Sequence, residues 1–446
     1  MSEPNKGIKG EVQNFFCKHY PIPPMAAKSV EISLGSIALK NLHFEDEMGE
    51  LYANLDIIYI GKSGLACKTP IIKRMREVIN DWDKEMAAPV KFTTQGFTEY
   101  ATGRQRKKGE EGEPIPPHDA GIIIRDEMSR LFKETTIKTM SDTLEFLSEL
   151  DDCYIESYRT RTYGLEGGKF YYLVLFSAST ETFLAKMEDE FFMQGLGNKI
   201  LWVCDDPPEV IKIDYKTFFL PQLVNEEWQK LKQKIINYMN YLTNLPFPTV
   251  MMRDDAAKIW ADYKFNCDTR ARNSKGKFDG SFIIKLPMKA LKLAAIYAAL
   301  RNNFDKKNML TIEGKDMQEA INDLGIFEKH RRNVMEWWSN LRRESRDQLR
   351  SKSSKYDKED FLRFASDHGG LCTMSEISAH FDLPSLMQIA DVLAMAVRGK
   401  YLEVITDGDK QGKFTIEELK RFKPARGSFP QVYKLTKEGK EYLGEK

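Results

Sequence analysis

The sequence lacks paired cysteines, the feature that most directly indicates a zinc site or a disulfide framework. Its six cysteines lie far apart, with no CxxC pair and no histidine at ligand spacing from a cysteine. Both a zinc site and a disulfide framework are therefore unsupported. The cysteines are Cys17, Cys67, Cys153, Cys204, Cys267 and Cys372.

Long apolar segments and an excess of charge of one sign are also missing. No apolar run approaches the roughly 20 residues of a membrane-spanning helix, and the first residues, MSEPNKGIKGEVQNFF, lack the apolar core of a signal peptide. We therefore expect a cytoplasmic protein with no membrane partner. Because 67 Lys and Arg residues balance 66 Asp and Glu residues, a nucleic-acid partner would have to be bound by local basic patches.

Five short apolar runs predict the strands of a parallel sheet. Each is apolar on both faces, as in strands covered by helices on both sides, and helical patterns such as 69–84 and 141–150 alternate with them. The sequence therefore predicts an α/β core with a five-stranded parallel sheet. The runs span residues 55–61, 90–94, 121–125, 171–177 and 199–204.

The rest of the chain divides by composition. A helix with a polar tip is expected over 26–51, and the β signal stops after the fifth run. Short helices at 359–367, 374–380 and 385–397 then precede strands at 401–406 and 431–435, the pattern of a winged helix. The predicted parts are an N-terminal helical segment (1–54), a P-loop ATPase core (55–225), an all-helical lid (226–350), a polar linker (351–357) and a winged-helix domain (358–446).

The first predicted strand runs directly into a segment with the features of a phosphate-binding loop. Lys68 would reach the phosphates and Thr69 would hold Mg²⁺ at the start of a helix, while Gly61 and Gly64 would let the chain turn tightly. Gly61 lies one residue too early for the usual motif, and Cys67 replaces its second glycine. The alternative is an ordinary strand–helix turn with an incidental Lys-Thr pair. The residues expected to contact ATP are Gly61, Ser63, Gly64, Ala66, Cys67, Lys68 and Thr69.

Polar residues follow two further predicted strands. The third strand ends in Asp126 and Glu127, which suit a Walker-B element in which Asp126 holds Mg²⁺ and Glu127 polarises the attacking water. Such an acidic pair is also a common start of a helix. After the fourth strand, Ser179 or Thr180 would contact the water or the γ-phosphate, although both residue types are also ordinary in turns.

This order of elements resembles the core of AAA+ ATPases. More narrowly, ANLDIIYIGKSGLACKTP resembles the P-loop region of NTPases found in primase–helicase proteins of plasmids, phages and integrated elements. The resemblance covers about residues 30–325. The other similar segments are KFTTQGFTEY (second strand), PHDAGIIIRDEMSRLF (Walker B), LVLFSASTETFLAKMEDEFFMQGLGNKILWV (fourth and fifth strands) and SFIIKLPMKALKLAAIYAAL (lid).

The resemblance implies an ATP-driven, Mg²⁺-dependent ring motor, a hexamer, distantly like the minichromosome maintenance helicases. Members of the family tend to have arginine where this chain has Lys199 and Lys285, so these lysines would take catalytic roles. Lysine is a single point donor where arginine is a planar fork, so the exchange weakens bidentate binding of phosphate. Arginine fingers supplied to a neighbouring subunit would come first from Arg159 and Arg161. Further arginine candidates are Arg253, Arg270 and Arg272.

Several local patches could contact DNA. They are the charged loop 103–112, the arginines of 329–350 and the basic group Lys420, Arg421, Lys423 and Arg426 near the wing. The expected recognition helix, 385–397, is mostly apolar, and its polar side chains with obvious reach are Gln388 and Asp391, so DNA contact should depend little on base sequence. Replication proteins are a second kind of partner expected for this domain.

Three functions remain open from the sequence. The first is a hexameric DNA helicase or translocase that replicates a mobile element. The second is a weakly active or inactive AAA+ protein that binds DNA as an initiator or regulator. The third is a packaging or transposition ATPase.

Overall fold

The computed structural model divides the chain into two compact units, residues 1–339 and 340–446, and each is described by itself. No helix among the described residues is long and apolar enough to cross a membrane. The described residues are 7–46, 49–62, 66–90, 94–103, 117–128, 143–155, 158–160, 164–166, 169–187, 191–192, 196–204, 220–245, 249–274, 279–305, 307–353, 358–380, 393, 396–397, 399–405 and 432–444.

The first unit combines a parallel sheet with helices. Its helices are α1 (Glu11–His19), α2 (Pro24–Ala38), α3 (Lys68–Trp82), α4 (Thr94–Thr102), α5 (Thr143–Leu150), α6 (Leu196–Lys199), α7 (Pro221–Thr243), α8 (Asp254–Asn273), α9 (Asp279–Ile283), α10 (Leu286–Leu300) and α11 (Gly314–Ser353, which continues into the second unit). Short 3₁₀ helices span Lys84–Met86 and Glu181–Lys186. Its strands are β1 (His43–Asp46), β2 (Gly49–Tyr52), β3 (Ile57–Ile60), β4 (Ala120–Arg125), β5 (Tyr154–Ile155), β6 (Tyr158–Thr160), β7 (Gly164–Glu166), β8 (Lys169–Phe170), β9 (Tyr172–Ser179), β10 (Leu201–Cys204), β11 (Val250–Met252) and β12 (Leu310–Ile312).

The central sheet is parallel and has four strands in the order β10-β3-β9-β4. All residues of these four strands are buried, as their two-sided apolar runs predicted. The predicted α/β class and the parallel sheet are therefore confirmed. In register, Ile60 lies opposite Ser179 and Arg125 lies opposite Ser177, which aligns the carboxyl ends of β3, β9 and β4.

The second predicted strand, 90–94, is wrong where the structure describes it. Val90 lies in a bend and Thr94 already begins α4, and only an isolated parallel bridge between Ala87 and Ile122 lies beside β4. Pro89 explains why the bridge does not extend, since proline has no N–H to donate to a neighbouring strand.

The N-terminal segment packs on the sheet as part of the same core. Helix α2 is buried along almost its whole length and contacts β9. The helix predicted over 26–51 is too long: α2 ends at Ala38 and β1 and β2 form an antiparallel hairpin. Phe44 pairs with Leu51 across this hairpin. Cross-strand pairs of this kind, and not a helical periodicity, therefore determine the structure of this segment. Two more antiparallel pairs, β5–β8 and β6–β7, precede β9 and were not predicted.

The region 226–350 is mostly helical but not entirely so, because β11 and β12 form a short parallel pair within it. Its buried residues join those of the sheet in one hydrophobic cluster. Helix α11 continues to Ser353, so the first three residues of the predicted linker 351–357 are helical, and the boundary between the two units lies within this helix. Residues 354–357 lie outside the described residues.

The second unit has its own small core around an antiparallel sheet in the order β13-β15-β14. Its strands are β13 (Leu371–Thr373), β14 (Leu402–Ile405) and β15 (Val432–Leu435), and its helices are α12 (Lys358–Asp367), α13 (Met374–His380) and α14 (Lys437–Tyr442). The helices predicted at 359–367 and 374–380 match α12 and α13, whereas β13 and α14 were not predicted. Of the third predicted helix, 385–397, only Leu393, Ala396 and Val397 are described, all as helical.

Candidate functional site

The carboxyl ends of three neighbouring strands meet at one edge of the sheet, which we call the carboxyl edge. The Gly61 N–H donates to the Ser179 carbonyl at 3.1 Å, and the Met128 N–H donates to the Ala178 carbonyl at 3.3 Å. The segments that leave β3 and β4 are thus both held against the end of β9. In open parallel sheets such an edge is the usual place for ligands, where successive connections leave in opposite directions.

The chain turns tightly between β3 and α3. A Cβ on Gly61 would lie 2.3 Å from the Cβ of Ala66, so only glycine fits at this position. The Ala66 N–H donates to the Lys62 carbonyl at 3.2 Å, and the Tyr59 hydroxyl donates to the Ala66 carbonyl at 3.0 Å. Tyr59 therefore fixes the end of the loop, a role that nothing in the apolar run of β3 indicated. Ser63 and Gly64, both predicted to contact ATP, lie outside the described residues.

Helix α3 begins at the predicted Lys-Thr pair. Cys67 is its N-cap, with a left-handed φ of 41° and no side-chain cap on the helix. A non-glycine residue in this conformation costs about 1–2 kcal/mol, which explains why the usual motif has glycine there. Lys68 donates to the Gly61 carbonyl at 2.7 Å and to the Lys62 carbonyl at 3.4 Å, so it closes the turn. Thr69 is exposed.

The acidic pair lies beside the end of β9. The buried Ser179 hydroxyl donates to Oε1 of Glu127 at 2.6 Å, while Asp126 and Glu127 are half-buried. Thr180 instead shares a hydrogen bond of 2.8 Å with Thr182, so Ser179 is the candidate hydroxyl that holds the acidic pair. The alternative role of this pair, capping a helix, concerns residues 129–142, which lie outside the described residues.

The side chains at the carboxyl edge fit a magnesium nucleotide. The uncapped N–H groups that begin α3 and the Lys68 ammonium suit phosphate oxygens. The Thr69 hydroxyl and the Asp126 carboxylate are the oxygen ligands that Mg²⁺ prefers. Among the residues that the structure describes, no group of three His, Cys, Asp or Glu side chains could hold a metal.

Lys199 and Lys285 lie at the opposite edge of the sheet, which we call the amino edge. Lys199 lies two residues before the first residue of β10, Leu201, which pairs with Ile57 at the start of β3. Its ammonium donates to the Ser148 carbonyl at 2.6 Å and to Asp152 at 2.9 Å. Burial and the charge of Lys199 lower the pKa of Lys285, so the two lysines are neighbours. Residues that precede a parallel strand lie at its amino end, so Lys199 is not brought to Glu127. Lys285, as the neighbour of Lys199, lies at the same end.

The amino edge is a buried, densely hydrogen-bonded cluster. Lys289 donates to the carbonyls of Lys199 at 2.7 Å and Asn198 at 3.1 Å, and Lys292 donates to Asn54 at 2.8 Å. Burial lowers the pKa of Lys289 to about 7. These contacts attach α10 to the amino ends of β10 and β3.

A buried carboxyl group lies in the same cluster. Asp56, which precedes β3, accepts a hydrogen bond from the Leu175 N–H at 2.9 Å. Burial, and then the nearby charge of Asp151, raise the pKa of Asp56 to about 7.

The arginine candidates are dispersed. Arg159 lies in β6, and Arg161 lies outside the described residues. Arg253 pairs with Glu313 at 3.6 Å, Arg270 pairs with Glu328, and Arg272 is exposed. The assignment of Arg159 and Arg161 as arginine fingers therefore stays a prediction.

The patches expected to contact DNA are only partly described. Arg331 does not belong to a phosphate-facing stripe on α11, since it is buried and pairs with Asp279 at 2.9 Å. Arg332 and Arg343 on the same helix are exposed. Nearly all of the loop 103–112 lies outside the described residues, as do Gln388, Asp391 and the basic group near the wing.

Comparisons with known proteins assign no family to this chain. The chain matches no protein-family model and no curated protein. The AAA+ resemblance therefore stays a prediction that depends on the residues at the carboxyl edge.

Proposed function

We propose that the protein binds and hydrolyses ATP, with Mg²⁺, at the carboxyl edge of its parallel sheet. The observation that carries the proposal is the convergence of two contacts, Lys68 on the Gly61 carbonyl and Ser179 on Glu127, at the ends of three neighbouring strands. A cation at a helix start and a carboxylate held by a hydroxyl are the groups that phosphoryl transfer to water requires.

Each group has a defined task in this proposal. Lys68 and the first N–H groups of α3 bind the phosphates, for which Lys68 exchanges the Gly61 carbonyl for a phosphate oxygen. Thr69 and Asp126 supply oxygen ligands to Mg²⁺, which neutralises charge on the transferred group. Glu127 orients the attacking water and accepts its proton, and Ser179 fixes the position of that carboxylate.

The test is hydrolysis of ATP by the full chain, with and without DNA. We expect activity that requires Mg²⁺ and is lost in Lys68→Ala, because the variant removes the phosphate-binding ammonium. A Lys230→Ala variant is the control, since Lys230 is an exposed lysine on α7. Hydrolysis by Lys68→Ala at the wild-type rate would refute the assigned site.

We further propose that hydrolysis drives a hexameric ring along DNA, as a helicase or translocase in the replication of a mobile element. Support comes from the parallel order of β10, β3, β9 and β4, which suits the AAA+ resemblance, and from a second unit whose helices and antiparallel sheet suit a winged helix. A transition state of this kind needs a cation from a neighbouring copy. Light scattering with an ATP analogue and DNA should detect the ring, and a strictly monomeric species would contradict it.

A second candidate, a DNA-binding initiator or regulator with weak hydrolysis, is favoured by one observation. Cys67 occupies a left-handed conformation that favours glycine, so the loop is strained where the usual motif is relaxed. ATP binding with no stimulation of hydrolysis by DNA would select this candidate. Strand displacement separates the helicase from a packaging or transposition ATPase.

A further inference from the structure

A cavity opens between helices α8, α9 and α11, beside the amino edge: the centre of the Phe282 ring in its lining lies 5.0 Å from the Lys289 ammonium. Its volume is about 380 Å³. Thr269 and Asn273 of α8, Phe282 of α9, and Arg331 and Arg332 of α11 contribute to its lining. The cavity is therefore large enough for a phosphate with part of a sugar, and its lining mixes hydrogen-bond donors, cations, one aromatic ring and the carboxylates of Asp279 and Glu328.

The deepest charged group of this cavity is a buried arginine. Arg331 is only 2% exposed, its guanidinium lies 4.4 Å from the centre of the Phe282 ring, and it pairs with Asp279 at 2.9 Å. An arginine stays charged even when buried, so it must be held by partners of this kind. Arg270 on the opposite wall pairs with Glu328. Two guanidinium groups are thus fixed in the walls of the cavity.

The rim carries positive charge that the neighbouring acids do not match. Arg332 lines the cavity and is exposed, and Arg272 is exposed one residue from Asn273. In the part of the chain that the structure describes, neither Arg272 nor Arg332 belongs to an ion pair. Because Arg331 and Arg270 have carboxylate partners and Arg332 has none among the described residues, the lining keeps one uncompensated positive charge, which attracts anions.

An exposed aromatic ring lies one helical turn from the cavity. Phe265 is 76% exposed, and Thr269, which lines the cavity, follows it at the i+4 position on α8 and donates to its carbonyl at 2.9 Å. Four residues of helix rise about 6 Å, close to the distance between adjacent nucleotides in an extended strand.

The surroundings of Phe265 indicate which kind of partner it fits. Its exposed neighbours on α8 are small or polar: Ala261, Asp262, Asn266 and Thr269. A protein interface usually surrounds such a ring with further apolar area, whereas a base needs only the ring face and a nearby cation. The pattern of one ring beside a cationic cavity therefore favours nucleic acid over protein.

We propose that the surface formed by Phe265, the cavity and Arg332 binds single-stranded nucleic acid, with a base stacked on Phe265 and the adjacent phosphate at the cavity rim. This inference rests on the proposed action on DNA for its choice of partner, but it does not require hydrolysis of ATP. Binding is expected to be nearly independent of base sequence, because stacking and phosphate contacts are made by every nucleotide.

The experiment measures the anisotropy of a fluorescein-labelled thymidine oligonucleotide with the full chain, without ATP. Phe265→Ala should weaken binding about 5- to 150-fold, the usual loss when a stacking ring is removed, and Phe265→Leu should weaken it almost as much because the ring is lost. Arg332→Ala should reduce the slope of log affinity against log salt by about 0.7, the loss of one phosphate contact on a single strand. The exposed Lys230→Ala variant is the matched control and should bind like wild type.

Wild-type binding by both Phe265→Ala and Arg332→Ala would overturn the inference. So would equal competition by a phosphoserine peptide, since it would show that a phosphorylated protein is bound instead. The proposed ATPase site is tested separately: it fails if the Lys68→Ala variant hydrolyses ATP at the wild-type rate. A protein that hydrolyses ATP and yet binds DNA without Phe265 would disprove only the surface inferred here.

Discussion

Lysines and carboxylates lie at both edges of the parallel sheet, but the contacts that they make differ between the two edges. At the carboxyl edge, Asp126 and Glu127 are half-buried, and the ammonium of Lys68 rests on loop carbonyls. At the amino edge, Lys289 and Asp56 are buried and hydrogen-bonded to the main chain of neighbouring elements.

This difference in contacts distinguishes a ligand-binding site from a cluster that stabilises the fold. A ligand can exchange for the contacts of a half-exposed lysine at modest cost, whereas a buried ammonium that loses its partners leaves carbonyl groups unsatisfied, at about 1–3 kcal/mol each. The carboxyl edge can therefore change its contacts during binding, and the amino edge stabilises the fold. Substitutions at the first edge should change activity, and those at the second should change stability.

The largest expected effect concerns the carboxylate at the carboxyl edge. Glu127→Gln keeps the shape of the side chain but cannot accept a proton, so hydrolysis should fall about 100- to 10,000-fold, or about 3–5 kcal/mol, with ATP binding retained. Steady-state hydrolysis and binding of an ATP analogue measure the two quantities. Asp126→Asn is the companion variant and should also weaken Mg²⁺ binding. Undiminished hydrolysis by Glu127→Gln would exclude it as the base.

The next effect concerns stability at the amino edge. Lys199→Met keeps the aliphatic stem but removes the donor to the Ser148 carbonyl and to Asp152, so the free energy of unfolding should fall by about 2–3 kcal/mol. Urea denaturation of this variant is compared with that of Lys68→Met, which should change stability by less than about 0.5 kcal/mol because Lys68 is half-exposed. Equal losses in the two variants would remove the contrast between the edges.

A smaller effect should appear in the pH dependence of stability. Burial raises the folded-state pKa of Asp56 to about 7, above the ordinary value of 3.8. Between these values the folded protein keeps a proton that the unfolded chain has released, so this contribution to stability is present below about pH 4 and is lost as the pH rises to about 7.

Asp56→Asn cannot titrate but keeps an oxygen acceptor for the Leu175 N–H. Relative to wild type, it should therefore gain on the order of 2 kcal/mol between pH 4 and pH 7. Urea denaturation at a series of pH values measures this, with Asp262→Asn on the exposed face of α8 as control. Parallel curves for wild type and Asp56→Asn would contradict the assignment.

The smallest effect is expected for the hydroxyl that holds Glu127. Ser179→Ala removes a hydrogen bond of 2.6 Å and should lower hydrolysis about tenfold, close to 1.4 kcal/mol, while ATP binding stays as in wild type. Thr180→Ala is the control, because its hydroxyl pairs with Thr182 instead. A larger loss in Thr180→Ala than in Ser179→Ala would reverse the assignment of the two hydroxyls.

Much of the fold could be predicted because its signals are local. Strands β3, β4, β9 and β10 are continuous apolar runs, and α3 follows from its own periodicity. The helix predicted over 26–51 was too long, because the pairing of β1 with β2 depends on neighbours in space. The strand predicted over 90–94 was wrong where the structure describes it, although Pro89, which cannot donate to a neighbouring strand, is visible in the sequence.

The candidate site was predicted less completely because its contacts depend on strand order. Lys68, Thr69 and the acidic pair follow strands directly, so their edge could be predicted. Lys199 looked equivalent from its motif, yet it precedes β10 and lies at the other edge. The contact of Ser179 with Glu127 requires β9 to lie beside β4, which no local pattern indicates.

The most direct test of the contrast between the edges is calorimetric titration of Lys68→Met and Lys199→Met with an ATP analogue and Mg²⁺. Both variants exchange a lysine for a side chain of similar length, at opposite edges of one sheet. We predict that Lys68→Met binds about 10- to 100-fold more weakly than wild type, the loss of a charged hydrogen bond to phosphate, and that Lys199→Met binds as wild type does. Weakened binding in Lys199→Met with unchanged binding in Lys68→Met would contradict the account.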